Sequence, residues 1–229
     1  MMNMKRLVIS FLLALIPLMA VSQDPIFRPG KKPVPSICSQ TEAQTLKSTT
    51  GTHNGYEWVD LGLSVKWATK NVGASSPSDY GDYYAWGETS TKRSYTDDNS
   101  KTCGKSMGNI GGNSSYDVAR YRWGGNWRLP TEAEFQELID KCTWTWTTQV
   151  GHNGYKVTSK INGKSIFLPA AGWRAETSFV FVGEYGSYWS SAPCESNANR
   201  AYFLYFYSSC HGVERCYRTG GRSVRPVVE

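Results

Sequence analysis

The side chains with the richest chemistry are concentrated near the C-terminus. Cys194, Cys210 and Cys216 lie within the last 36 residues, and His211 stands next to one of them. The remaining cysteines are Cys38, Cys103 and Cys142. The spacing does not indicate a zinc site, because the sequence has no CxxC or HxH pattern and only three histidines. Disulfides are possible if the chain is exported to an oxidising compartment.

Other combinations of reactive residues have little support. No Gly-x-Ser-x-Gly elbow accompanies a serine nucleophile. Asp79, Asp82, Asp97 and Asp98 could offer oxygen ligands to calcium, but their spacing is more typical of a solvated loop. We therefore expect no enzymatic activity, no metal ion and no cofactor.

The segment 201–207 (AYFLYFY) has the pattern of an aromatic strand. Alternation places Leu204 and Phe206 on one face and Phe203, Tyr205 and Tyr207 on the other. One interpretation is a strand buried on both sides. The alternative exposes Phe203, Tyr205 and Tyr207 as rigid rings that bind a ligand at low entropic cost.

Around this strand, rings that stack on sugars are interleaved with side chains that hydrogen-bond hydroxyl groups. We predict a ligand-binding face formed by Trp189, Ser196, Asn197, Asn199, Phe203, Tyr205, Tyr207, Ser209, His211, Glu214, Arg215, Tyr217 and Arg218. The expected partner is a glycan or a surface protein. The alternative is a structural component of a cell-surface assembly, in which the same aromatic residues join subunits.

One helix has clear local signals. Thr131 and Glu134 form a capping box at its start. Phe135, Leu138 and Ile139 then lie on one apolar face of the helix. A hairpin is predicted over 155–161 and 164–168, with a type I′ turn at the Asn-Gly dipeptide 162–163.

Elsewhere the pattern indicates short strands and loops. Strands are predicted near 56–61 and 64–68, a long loop over 73–125, and aromatic strands separated by glycine turns after residue 183. One capped helix among strands predicts the α+β class.

The N-terminal region predicts export. Lys5 and Arg6 precede an apolar run, and small residues at 20 and 22 precede a cleavage site, so residues 1–22 form a secretory signal peptide. No lipoprotein cysteine follows, and no later segment is expected to span a membrane. Residues 23–53 are predicted to be a Pro/Ser-rich disordered tether, and 54–229 the folded domain. We expect a secreted, periplasmic or cell-surface protein.

Composition limits the classes further. The chain contains 31 aromatic residues, and only 19% of its residues are charged, which excludes a disordered chain or a coiled coil. Removal of the signal peptide lowers the formal net charge from +6 to +4. That modest charge gives no reason to expect nucleic-acid binding.

Several motifs resemble one family. Residues 127–135 (WRLPTEAEF) resemble the helix entry of formylglycine-generating-enzyme-like domains. Residues 59–68 (VDLGLSVKWA), 85–88 (AWGE), 188–191 (YWSS) and 223–227 (SVRPV) are similar to the Fibrobacter succinogenes major paralogous domain. This resemblance, from about residue 55 onward, implies a C-type-lectin-like fold with a small mixed or antiparallel sheet, one or two helices and long loops. It also implies an exported protein of the kind abundant in gut Bacteroidetes-like bacteria.

Two further resemblances concern the C-terminal segment. Residues 190–225 are similar to the variable region of target proteins of diversity-generating retroelements, which would place Leu204 and Phe206 in the framework. Residues 210–218 resemble the active segment of formylglycine-generating enzymes, where two cysteines bind copper(I). That resemblance implies a copper oxidase using Cys210 and Cys216 as an alternative function. However, five residues separate these cysteines, where the enzymes have four.

Overall fold

The computed structural model describes residues 49–229. The predicted signal peptide and residues 23–48 of the predicted tether lie outside the described residues. The elements in chain order are β1 (Thr50–His53), β2 (Tyr56–Val59), β3 (Lys66–Ala68), α1 (Val118–Trp123), α2 (Glu132–Lys141), β4 (Cys142–Gln149), β5 (His152–Ser159), β6 (Ser165–Pro169), β7 (Trp173–Ala175), β8 (Ser178–Val180), β9 (Tyr185–Pro193), β10 (Arg200–Tyr207), β11 (Cys210–Tyr217) and β12 (Val227–Val228). Strand β1 therefore uses the last four residues of the predicted tether.

The described part of the chain is β-rich, and its strands form four antiparallel sheets. Their orders are β1-β2-β3-β12, β11-β10-β9, β4-β5-β6 and β7-β8. The predicted α+β, C-type-lectin-like fold class is wrong. That prediction expected helical structure to form a substantial part of the fold. The two helices have only six and ten residues.

The local sequence signals correctly predicted helix α2 and the β5–β6 hairpin. Helix α2 begins at the predicted capping box, in which Thr131 and Glu134 cap each other's backbone N–H groups. The β5–β6 hairpin is confirmed, but its type I′ turn is wrong because Gly163 alone of the Asn-Gly pair has positive φ. Positive φ at both turn residues occurs instead at Asn54-Gly55, between β1 and β2.

Two apolar cores lie against opposite faces of the β9–β10–β11 sheet. Leu204 and Phe206 belong to the core that contains Trp67 and the buried face of α2. Ala201 and Phe203, on the other face of β10, belong to the core that contains Trp86, Trp127 and Trp189. Most of β10 is therefore covered on both sides.

Buried arginines connect separate segments to these cores. Arg225 is fully buried and donates to the Asn71 side chain and to the carbonyls of Ala68, Thr69 and Phe167. Burial lowers its pKa to about 10. These four acceptors hold the chain that enters β12 in place.

Within residues 49–229, neither helix combines the length and apolar character that crossing a membrane requires.

Candidate ligand-binding surface

Antiparallel register places three tyrosines at the outer end of one face of the β9–β10–β11 sheet. Tyr207 pairs with Tyr185 across β9, and Tyr205 occupies the next position on the same face of β10. Directly paired residues on antiparallel strands lie on the same side of the sheet. We call Tyr185, Tyr205 and Tyr207 the tyrosine face.

The rings of the tyrosine face are nearly parallel. The Tyr185 centroid lies 6.1 Å from that of Tyr205, at 10° between planes, and 6.3 Å from that of Tyr207, at 16°. Tyr207 is 42% exposed, and the other two rings are half-buried. Trp173 on β7 packs edge-on against Tyr185 at 5.2 Å and extends the aromatic surface.

Polar groups border these rings. Burial raises the pKa of Tyr185 to about 12, and hydrogen bonding with Cys210 raises the pKa values of Tyr205 and Tyr207. All three phenols are therefore neutral donors at physiological pH. Glu214 is exposed and pairs with a residue of the same face of β10, so it adds a carboxylate acceptor.

Arg222 lies beneath the tyrosine face, between aromatic rings. Its guanidinium carbon is 4.6 Å from the Phe203 centroid and 4.9 Å from a ring centroid of Trp189. Its Nε donates to Cys216 Sγ and one Nη donates to Ser187 Oγ, both at 3.0 Å. Burial raises the pKa of Cys216, so both acceptors are neutral groups.

A cleft of about 270 Å³ opens beside Trp173, between β7 and the end of β11. Tyr95, Arg174 and Arg222 also line this cleft, which we call the arginine cleft. Gly221 permits the close approach of its two walls: it exchanges backbone hydrogen bonds of 2.7 and 2.9 Å with Arg174. A Cβ at this position would lie 2.6 Å from the Tyr95 ring.

Three of the predicted ligand-binding residues are buried instead. Trp189 is 1% exposed, Phe203 7% and Arg218 1%. Both rings pack in a core, and the Arg218 guanidinium lies 4.3 Å from a Trp86 ring centroid while donating to three carbonyls. These residues stabilise the fold and have no surface to offer a ligand. The sequence alone could not show that Trp189 and Phe203 are buried, because an aromatic strand has the same pattern whether it is covered or exposed.

Other predicted residues lie on the opposite face of β11. His211 stacks on Trp144, with centroids 4.5 Å apart and 10° between planes. The Arg215 guanidinium lies 5.9 Å from the Tyr202 centroid. Tyr217, at the end of β11, pairs with Arg200 and borders the arginine cleft.

The remaining predicted residues are in the two connections that flank β10. Ser196, Asn197 and Asn199 are exposed in the β9–β10 connection, and Ser209 is exposed in the β10–β11 turn. The eight residues of β10 separate these connections by roughly 26 Å, at 3.3 Å per residue. The thirteen predicted residues therefore do not form one site. The structure brings together Tyr205, Tyr207 and Glu214, with Tyr217 at the edge of the cleft.

Sequence reasoning missed four residues of this surface. The sequence could have identified Tyr185, because Tyr185, Ser187 and Trp189 alternate along one face of β9. No comparable sequence pattern marks Trp173, Arg174 and Arg222. Their positions depend on pairings between residues far apart in the chain, including the bridge between Arg174 and Gly221.

The geometry does not fit the copper site that the resemblance to formylglycine-generating enzymes implies at Cys210 and Cys216. Cys210 and Cys216 both lie in β11, and six residue-to-residue steps along an extended strand place their Cα atoms about 20 Å apart. They can neither bind one ion nor form a disulfide with each other. Within residues 49–229, no group of three or more His, Cys, Asp or Glu side chains could hold a metal ion, and all five cysteines are free thiols.

Comparison with known proteins adds one similarity. Residues 146–227 match a family described as a domain of unknown function, DUF8237. This segment includes the tyrosine face and most of the arginine cleft. No curated protein and no solved structure matches the chain.

Proposed function

We propose that the protein is an exported, non-catalytic binding domain that holds a glycan on the tyrosine face. The observation that carries this proposal is the set of three nearly parallel rings on a paired sheet, with the outermost ring 42% exposed. The signal-peptide pattern predicted over residues 1–22 supports the export part of the proposal.

The surface fits the two sides of a sugar. The C–H groups of a pyranose pack against aromatic rings, while its hydroxyl groups need hydrogen-bond partners at the edges of those rings. The neutral phenols supply donors, and Glu214 supplies an acceptor. The rings lose little conformational entropy on binding, because the neighbouring strands already hold Tyr185 and Tyr205.

Glycan-array binding by the purified chain tests the proposal. Tyr205→Ala and Tyr207→Ala should each weaken a hit by about tenfold or more, since exposed aromatic anchors dominate binding surfaces of this kind. Tyr121→Ala is the matched control, because Tyr121 is 59% exposed on α1. It should bind as the unmodified chain does.

A stability measurement separates loss of binding from loss of fold. Tyr207→Ala should change the free energy of unfolding by less than about 1 kcal/mol, because Tyr207 is an exposed residue at the end of the strand and belongs to neither core. Phe203→Ala should cost about 3–5 kcal/mol, because that ring is buried. A Tyr207→Ala variant that is folded and binds every glycan normally would contradict the proposal.

A further inference from the structure

The tyrosine face continues beyond Tyr185 through two more aromatic rings. The Trp173 centroid lies 5.2 Å from that of Tyr185 and 5.4 Å from that of Phe181. The backbone holds these residues close together, because the Phe181 carbonyl accepts hydrogen bonds from the amides of Glu184 and Tyr185 at 3.1 and 3.0 Å. We call Tyr207, Tyr185, Trp173 and Phe181 the ring series, in the order of their contacts.

Every ring of the series reaches solvent. The two end residues are exposed, Tyr207 by 42% and Phe181 by 56%, and Tyr185 and Trp173 between them are half-buried. Since successive rings are in contact and none is buried, they form a continuous surface that is longer than the tyrosine face alone.

The register of the β7–β8 hairpin shows which of its aromatic side chains join this surface. Trp173 pairs with Val180, whereas Arg174 pairs with Phe179. Paired residues share a face and successive residues alternate between faces, so Phe179 lies on the face opposite to Trp173. There its ring centroid lies 4.2 Å from the Arg174 guanidinium carbon. Phe181, whose ring contacts Trp173, belongs to the ring series, and Phe179 does not.

Neither burial nor backbone conformation explains a phenylalanine at position 181. Its φ is 50°, in the left-handed region that favours glycine and in which a bulky side chain is an outlier. More than half of its surface is exposed, so the ring contributes little to the apolar area buried on folding. Residues in such conformations cluster at functional sites. An exposed ring on an unfavourable backbone conformation therefore fits a role in binding.

Hydrogen-bond acceptors accompany the rings along the series. Glu214 borders the tyrosine face, and the exposed Glu184 directly precedes Tyr185 in the chain. A pyranose is about as wide as one six-membered aromatic ring, so a single sugar would leave most of the series uncovered. Each sugar of an oligosaccharide offers a C–H face and hydroxyl groups, and a surface that repeats rings and carboxylates fits successive sugars of one chain.

We propose that the glycan is an oligosaccharide chain whose sugars extend from the tyrosine face across Trp173 to Phe181. The inference rests on the proposed function, since it gives the extent of the same ligand. Each further sugar that reaches a ring binds as part of a molecule already held, so the affinity increases with chain length until the ring series is covered.

Binding to oligosaccharides of increasing length tests the inference. The purified chain is titrated with disaccharides to hexasaccharides of the cello-, malto- and chito-oligosaccharide series. In at least one series the hexasaccharide should bind about tenfold or more tightly than the disaccharide. Equal affinity at all lengths in every series that binds, or no binding to any series, overturns the inference.

The two phenylalanines of the β7–β8 region provide matched variants. Phe181→Ala should weaken hexasaccharide binding about tenfold and leave disaccharide binding unchanged, because the shorter ligand is held on the tyrosine face. Phe179→Ala removes the same ring from the opposite face, where Phe179 is 60% exposed, and should change neither. Phe181→Gly removes the ring where the backbone favours glycine, so this variant should stay folded and show the same loss.

The outcomes separate this inference from the proposed function. Hexasaccharide binding that is unchanged in both folded Phe181 variants overturns the inference, and so does an equal loss in Phe179→Ala. If Tyr207→Ala still weakens a glycan-array hit in any of these cases, the tyrosine face remains the glycan site. Failure of Tyr207→Ala to weaken any binding overturns the proposed function instead.

Discussion

At the scale of single residues, the role of an aromatic side chain depends on which element covers it. Phe203 and Tyr205 share one face of β10, yet Phe203 is 7% exposed and Tyr205 is half-buried beside the exposed Tyr207. Coverage decreases along the strand as the core ends and the sheet extends beyond it. The same residue types therefore stabilise the fold at one end of β10 and present a surface at the other.

His211 should make the stability of the protein depend on pH. Burial lowers its pKa, so the unfolded chain binds a proton at a higher pH than the folded chain does. The contribution of His211 to stability is therefore constant above the unfolded pKa of about 6.5 and decreases as the pH falls below it. His211→Gln should lose less stability between pH 7.5 and pH 5.5 than the unmodified chain.

Urea unfolding at those two pH values measures the difference. An equal loss in both proteins would show that the His211–Trp144 stack accommodates the charged imidazole at no cost.

At the scale of elements, the β9–β10 pair depends on close contact at one position. Gly186 pairs with Phe206, and a Cβ there would lie 2.0 Å from the Phe206 ring. The ring is fully buried in the core. It therefore fills the space that a side chain at position 186 would need, and it fixes the register that aligns Tyr185 with Tyr207.

Substitution at this glycine should be costly. Gly186→Ala must displace Phe206 from its packed position, so we expect a loss of about 1–3 kcal/mol or more in the free energy of unfolding. Gly108→Ala is the matched control, since no atom lies within 4 Å of the methyl group that alanine would add there. Chemical denaturation should show a change within about 0.5 kcal/mol for that control. Equal stability of the two variants would mean that the ring has room to move.

The sequence predicts elements well where the signal is local. The capping box of α2 depends on residues three apart, and the β5–β6 hairpin depends on a short connection. The sheets and the arginine cleft depend on contacts between distant segments, such as the pairing of β12 with β3 and of Arg174 with Gly221. No periodicity within one segment encodes those contacts. The predicted fold class was therefore wrong, while the predicted helix was correct.

At the scale of the whole molecule, the fold is stabilised by packing and not by cross-links between its described parts. The five cysteines at positions 103, 142, 194, 210 and 216 are free thiols. Two apolar cores rich in tryptophan supply the stability that disulfides supply in domains too small to bury such cores.

The midpoint of thermal unfolding should therefore be the same with and without a reducing agent. A disulfide is typically worth about 2–4 kcal/mol, which corresponds to roughly 5–15 °C for a chain of this size. Differential scanning calorimetry with and without dithiothreitol measures the midpoint under both conditions. A decrease of that size on reduction would contradict the prediction and show that a stabilising disulfide forms.

The position of β11 has a consequence for how this protein changes over evolutionary time. It is an edge strand, and most of its side chains are partly or fully exposed. Glu214, Arg215 and Tyr217 are its exposed residues, so substitutions at these three positions leave the cores under β9 and β10 intact. Under the proposed function, new ligand preferences can thus arise at these positions without loss of folding stability, which lets selection act on recognition alone.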